Sequence, residues 1–236
     1  MIEFTPWPKI ARLFREMVIT EKIDGTNAAV GIREFPFGWH VGGVDDQGED
    51  HDQPQNACLV LGPASAEDGL PGKEYLVYAQ SRSRLITPGQ DNHGFARWVC
   101  DNAAFLAGYL GPGIHFGEWW GSGINRGYGL ENGEKRFSLF NVKRWNREDF
   151  QIDGQCGYIP PGLDVVPILY RGPFNTGFVN ETLAELRLNG SAAAPGFMRP
   201  EGIVIYHSAA RVMLKATLED DQVPKVATRG NFSVAA

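Results

Sequence analysis

A strand-rich fold of mixed α and β structure follows from three features of the 236-residue sequence. Its 29 glycines and 15 prolines supply more turns than a helix bundle would use. Runs of β-forming residues recur along the chain, at Met17-Val18-Ile19, Ala28 to Ile32, Tyr75 to Ala79, Ile114 to Gly121, Asp164 to Tyr170 and Ile203 to Tyr206. Helical spacing is confined to a few stretches between them. The length suits one sizeable core, so a single domain over 1–236 is expected, with about 36–73 as a loop-rich insertion.

Taken in order, Pro8 to Met17 carries Ile10, Leu13, Phe14 and Met17 at the i, i+3, i+4, i+7 spacing of one helical face. Glu21-Lys22-Ile23-Asp24-Gly25-Thr26-Asn27 follows, with an Asp-Gly turn between β-forming runs that reads as a hairpin. From Phe35 to Lys73 the composition shifts: Gly42-Gly43 and the acidic run Asp45 to Asp52 surround a short apolar patch, Cys58 to Leu61. His40, Asp50, His51 and Asp52 lack both the helical i, i+4 pairing and the EF-hand pattern of a metal site, so this segment reads as a solvated loop. Tyr75 to Ala79 is a strand, and Gln80-Ser81-Arg82-Ser83-Arg84 after it combines guanidinium forks with hydroxyls, groups that bind phosphate.

Phe95 to Leu110 reads as one helix, stopped by Gly111-Pro112-Gly113. Ile114 to Gly121 is a strand holding Glu118 between bulky neighbours, with His115 as a structural histidine. Arg136 to Trp145 alternates like another strand. With Lys135 and Arg147 it forms the strongest local basic patch, whose aromatics could stack a base. Asp164 to Tyr170 is a further strand. A helix starts at Asn180 and runs to Leu188, and Ser191 to Pro195 forms a small-residue loop. Glu201 to Tyr206 and Arg211 to Thr217 form a hairpin with an acid at one end and Lys215 near the other.

Composition narrows the function classes. A net charge of −6 means that nucleic acid must be met by a local basic patch and not by the whole molecule. Cys58, Cys100 and Cys156 lie far apart without C-x-x-C spacing, so neither a disulfide framework nor a zinc site is suggested. No apolar run is long enough to span a bilayer and the N-terminus has no signal-peptide core, which suggests a reducing, cytoplasmic setting without membrane contact.

Lys22, two residues before Asp24-Gly25, has the chemistry of a nucleophile if its environment favours the neutral amine. The four-residue pattern alone equally describes a surface lysine beside a turn. The order of the later motifs adds to it. Lys22-x-Asp24-Gly25-Thr26-Asn27, Ser81-Arg82, Phe116-Gly117-Glu118, Phe137 to Phe140, Glu201-Gly202-Ile203-Val204 and a strand bearing Lys215 resemble the motif series of the covalent nucleotidyltransferases. The Thr-Asn ending of the first motif is similar to the RNA ligases, particularly the phage class like RNA ligase 2 and the trypanosome editing ligases.

The resemblance covers about residues 18 to 217 and implies an α+β nucleotidyltransferase domain, with twisted, mainly antiparallel sheets around a nucleotide cleft and helices outside. It implies an ATP-dependent RNA ligase in which Lys22 takes up AMP from ATP, passes it to an RNA 5′-phosphate, and a 3′-hydroxyl then displaces it. Carried over by motif, Glu21, Lys22 and Ile23 would belong to the nucleotide-binding set. Arg82 would lie near the phosphates or RNA end, Glu118 and Glu201 would contact the ribose and a divalent metal, and Phe140 would pack on adenine. Lys215 would be the lysine of the last motif, and Asn27 would serve the chemistry on the RNA end. Mg²⁺ or Mn²⁺ is the implied metal. The chemistry needs such residue types, because nucleotidyl transfer depends on positioning and charge stabilisation around the leaving pyrophosphate. Lys22 must also lose a proton, which Lys215, Arg82 and a metal would assist.

Two departures stand out. The RNA ligase 2 class has K-x-K in the last motif, whereas Met213 and Thr217 flank Lys215, leaving Arg211 and Lys225 as candidate substitutes. No OB domain is expected after this motif, so the catalytic domain acts alone or with a separate RNA-binding or repair partner. A DNA ligase or capping-type enzyme would use the same lysine chemistry, and a non-catalytic nucleotide- or RNA-binding module would keep the fold without turnover.

Overall fold

The computed structural model describes residues 3–7, 9–37, 57–62, 72–146 and 160–219. In chain order the elements are β1 (Glu16–Lys22), β2 (Thr26–Pro36), β3 (Ala57–Leu61), β4 (Lys73–Ser81), β5 (Leu85–Ile86), α1 (Phe95–Asp101) and α2 (Ala103–Leu110). β6 (Gly113–Gly121), β7 (Lys135–Leu139), β8 (Leu163–Val165), β9 (Ile168–Pro173), α3 (Thr176–Asn189), β10 (Gly202–His207) and β11 (Val212–Thr217) complete them. The class is α+β, with mainly antiparallel sheets, as expected from the sequence. Two compact units divide the chain: 1–23 with 167–236, and 24–166.

The first unit is built on an antiparallel four-stranded sheet ordered β11-β10-β1-β9. Alternation along β1 sends Met17 and Ile19 to one face, where they join Ile203, Ile205 and Leu186 of α3 in a core. Full burial of such side chains contributes about 1.5–3 kcal/mol each. α3 starts at Asn175, whose side chain accepts the Gly177 N–H at 2.7 Å, and not at Asn180 as the sequence suggested. It ends at Gly190, where φ is +79° and a Cβ would lie 2.6 Å from the Phe197 carbonyl, so only glycine fits.

The second unit is built on a sheet ordered β3-β4-β2-β6-β7-β8, with β5 paired to β4. Only the β7–β8 pair is parallel. One face, carrying Ala28, Val30, Ile32, Val77, Trp119, Phe137 and Leu139, packs against Phe95, Val99, Leu106 and Leu110 of α1 and α2.

Several expectations are corrected. No helix forms in the Pro8 to Met17 stretch, although Pro8 itself lies outside the described residues. Met17 belongs to β1, while Leu13 O meets the His207 ring at 2.6 Å and Arg15 O accepts from Phe174 N at 2.7 Å. These pairings with distant strands override the helical spacing. The Asp24-Gly25 turn closes no hairpin, because β1 pairs with β9 and β10 whereas β2 pairs with β4 and β6. The helix expected over Phe95 to Leu110 breaks at Asn102 (φ −113°, ψ 12°), whose amide donates back to Trp98 O at 2.8 Å. β7 stops at Leu139, because Asn141 turns the chain by accepting from the Lys143 and Arg144 N–H groups. Asp164 to Tyr170 is divided between β8 and β9, which lie in different sheets.

The segment around 36–73 contributes real strands: β2 extends to Pro36, the apolar patch forms β3, and β4 begins at Lys73. The acidic run 45–52, with His40, Asp50, His51 and Asp52, lies outside the described residues, as do Arg147 and Lys225. Cys58 of β3 and Cys100 of α1 form a disulfide with their Cα atoms 5.8 Å apart, a pairing that the sequence did not suggest. Sequence separation, 42 residues here, carries no information on spatial approach. Among the described residues no helix is long and apolar enough to cross a membrane.

Candidate active site

Lys22 is the last residue of β1 and pairs in register with Gly202. Its Nζ donates to Glu201 Oε2 at 2.5 Å, with side chains only 23% and 14% exposed, so this ion pair is well shielded from water. Directly paired residues share a face of a sheet. The rows Lys22–Gly202–Thr217 and Thr20–Val204–Lys215 therefore place Lys215 on the face that carries Lys22, two strands away and one row back. Lys215 is exposed, and among the described residues its ammonium makes no ion pair.

Glu21 points to the opposite, core face. It is 1% exposed, and its carboxylate accepts from Ser191 Oγ at 2.6 Å, Ala192 N at 2.8 Å and Ala193 N at 2.9 Å. A buried carboxylate must be matched by donors, and this one ties the 191–194 loop to the strand end that bears Lys22. Ile23, also buried, closes this unit before the chain passes to the next.

In the second unit the turn after Lys22 is fixed from several sides. Asp24 Oδ1 accepts from Asn125 at 2.9 Å and Oδ2 from Arg126 Nε at 3.1 Å, while the Asp24 N–H donates to the Tyr128 hydroxyl at 2.9 Å. Gly25 N–H donates to Glu118 Oε1 at 3.1 Å, and Gly25 O accepts from Asn125 at 2.6 Å. A Cβ at Gly25 would meet Trp119 O at 2.4 Å, so the β6 backbone admits only glycine there.

Asn27 and Glu118 are direct partners in the β2–β6 register, and Asn27 Nδ2 donates to Glu118 Oε2 at 2.7 Å. Glu118 is 7% exposed. The same face carries Phe116 opposite Ala29 and, one row beyond β7, Phe140, whose N–H donates to Phe116 O at 2.9 Å. Both rings are large and exposed, so this face offers an aromatic surface next to a carboxylate and an amide. Arg82 is exposed, one residue past Ser81, which pairs with Ala28; it therefore stands at the Asn27 end of the sheet. Among the described residues its guanidinium has no hydrogen bond or ion pair, which leaves its fork open to an anion.

Within the first unit the structure brings Lys22 and Glu201 together, with Lys215 on the same face. Within the second it brings Asn27 and Glu118 together, with Phe140 and Arg82 near the same end. Asn125, Arg126 and Tyr128 were not anticipated from sequence, and Phe116 was read only as part of its motif. The signal was the glycine spacing of 121–129: Gly121, Gly123, Gly127 and Gly129 have positive φ, and so do Asn125 and Tyr128. A non-glycine residue held there marks a segment whose shape is fixed by its contacts.

His115 faces the core side and its Nε2 bonds to Gly111 O at 2.9 Å. Burial pushes its pKa below the ordinary histidine value; the Gly111 carbonyl partly offsets this, and the nearby Arg144 guanidinium adds to the lowering. It is a structural residue, as expected. Among the described residues no three His, Cys, Asp or Glu side chains converge on a point that could hold a metal. A cation here would rely on one or two carboxylates completed by water and phosphate oxygens, a set that suits Mg²⁺.

The two mainly antiparallel sheets with three flanking helices make the described part of the chain an α+β protein, with a shielded lysine–glutamate pair in the first unit and an amide–carboxylate–aromatic face in the second. A family model described as RNA ligase matches residues 15–217, and the chain belongs to that family. No curated protein and no solved structure matches it. The family makes it a ligase with RNA as substrate.

Proposed function

We propose that the chain is an ATP-dependent RNA ligase that joins a 3′-hydroxyl to a 5′-phosphate through AMP carried on Lys22. The observation that carries this is the Lys22–Glu201 pair: the amine is held at a fixed strand end with a carboxylate oxygen 2.5 Å from Nζ. That carboxylate fixes the position of Nζ; before it attacks, the ammonium must lose a proton, which Arg82, Lys215 and a bound metal would favour. Lys22 Nζ then bonds to the α-phosphorus, the bond to the bridging oxygen breaks, and pyrophosphate leaves. Transfer of AMP to an RNA 5′-phosphate frees Lys22 again, and attack by the 3′-hydroxyl forms the phosphodiester with release of AMP.

The other residues have roles suited to their surroundings. Phe140, with Phe116 beside it, would pack on adenine. Arg82 would bind phosphate oxygens, with Lys215 as a further cation for the triphosphate. Asn27 would position the RNA end while Glu118 holds its amide, and Glu21 and Ile23 would keep the Lys22 strand in place. Mg²⁺, or Mn²⁺, would supply positive charge against the departing pyrophosphate. Glu118 and Glu201 are its proposed ligands, since carboxylates are the side chains that Mg²⁺ takes.

Sealing assays with a nicked RNA duplex bearing a 5′-phosphate test this assignment. Product is expected with ATP and little with GTP, and none from Lys22→Ala. Equal sealing with GTP, or sealing by Lys22→Ala, would overturn it.

A further inference from the structure

The second unit contains a cleft of about 620 Å³ between the start of α1 and the 133–136 turn into β7. Arg97 enters from α1 and Lys135 and Arg136 from β7, with His93 at the rim. Two carboxylates, Asp101 and Glu134, also line it. Glu134 is taken by Arg136, which donates through Nε at 3.0 Å and Nη2 at 2.7 Å. Among the described residues, Arg97 and Lys135 have no ion pair and no side-chain hydrogen bond. One remaining carboxylate thus stands against two unmatched cations.

The inner wall is aromatic. Trp98 and Trp119 donate their indole N–H groups to Pro161 O at 3.0 Å and His93 O at 3.1 Å, so the polar atoms of both rings are engaged by the walls. Trp119 is only 3% exposed and packs on Trp98, so what an occupant meets is the partly exposed Trp98 ring beside two positive charges. That combination fits a nucleotide strand, whose bases meet aromatic surface while its phosphates meet cations. The setting sharpens the point, since the chain as a whole carries −6 and repels polyanions except where cations are gathered.

We propose that this cleft binds the phosphodiester backbone of single-stranded RNA at nucleotides away from the reacting end. The inference rests on the RNA ligase reading, and it adds a second point of contact with the substrate. None of its lining residues belongs to the set assigned to nucleotide transfer.

The test compares wild type with Arg97→Gln/Lys135→Gln, two surface changes that leave the aromatic wall intact. Arg33→Gln/Lys73→Gln, changed at exposed cations elsewhere on the unit, controls for net charge. Binding of a fluorescent single-stranded RNA of about 20 nucleotides with a 5′-phosphate is followed by anisotropy over a salt series, alongside AMP uptake by intact mass. The cleft variant is expected to bind about tenfold more weakly or worse, with the slope of log K against log salt reduced by about 1.4 for two lost phosphate contacts on a single strand. The control should keep the wild-type slope, and AMP uptake should be equal in all three. An unchanged slope in the cleft variant overturns the proposal, as does AMP binding there as tightly as the RNA strand. Absence of AMP uptake in wild type would contradict the ligase mechanism and leave the slope to decide the cleft.

Discussion

Asn27 and Glu118 face each other across β2 and β6, and the 2.7 Å bond between them uses only one oxygen of the carboxylate. The other oxygen accepts the Gly25 N–H at 3.1 Å, so Glu118 holds both ends of the turn that follows Lys22. Glu118→Gln replaces one acceptor by an NH₂, to which the Asn27 amide can turn its Oδ1, at the loss of the charge-assisted bond. It should lower stability by about 0.5–1.5 kcal/mol in urea denaturation, the net contribution of a hydrogen bond such as that to the carboxylate. The same change should reduce RNA sealing at least tenfold, whereas Glu34→Gln, on the exposed part of β2, should alter neither. Unchanged stability for Glu118→Gln would contradict this role.

His115 supplies a pH dependence with a definite sign. Its folded pKa lies below the ordinary value, mainly through burial, so the unfolded chain binds the extra proton more readily. Stability from this group is fully present above about pH 6.5, the ordinary histidine value, and is lost as pH falls below it. Urea midpoints between pH 7.5 and 5 should decline with a contribution of at most about 1.4 kcal/mol per pH unit from His115. His115→Gln, which can still donate to Gly111 O, should flatten that decline; an identical pH profile in the variant would refute the assignment.

The Cys58–Cys100 bridge ties β3 to α1 across 42 residues of sequence. Oxidised protein should give a linked peptide pair on digestion without reductant. Reduction, or Cys58→Ser, should lower stability by about 2–4 kcal/mol through the freed loop. Equal thermal midpoints with and without reductant, despite a confirmed bridge, would show that the closed loop contributes nothing.

The parts legible in sequence were those set by local pattern or by motif order. The β10–β11 hairpin, the β6 strand and the stop at Gly111 follow from alternation and turn chemistry within a few residues. What failed was whatever depends on partners far along the chain. Ile10, Leu13, Phe14 and Met17 have helical spacing, yet the pairing of β1 with β9 and β10 draws Met17 into a strand and leaves Ile10 and Phe14 exposed. The Asp24-Gly25 turn has hairpin composition, and only the sheet order shows that its flanking strands separate. In the candidate site, Lys22 pairs with Glu201, 179 residues away, a contact that leaves no local signature in the sequence although motif order singled out both residues. Asn125, Arg126 and Tyr128 escaped notice because bonds to Asp24 from about 100 residues away leave no local signature beyond the glycines around them.

Lys22 is the residue on which the proposed reaction depends, and intact-mass spectrometry after incubation with ATP and Mg²⁺ tests it most directly. Wild type should gain the mass of one AMP, released by acid as a phosphoramidate would be, while Lys22→Ala and Lys22→Arg should show no gain. Glu201→Gln, which keeps the size of the side chain paired with Nζ but removes its charge, should slow adduct formation by at least tenfold. A wild-type protein that shows no adduct, or a Lys22→Ala protein that still forms one, would contradict Lys22 as the attacking group.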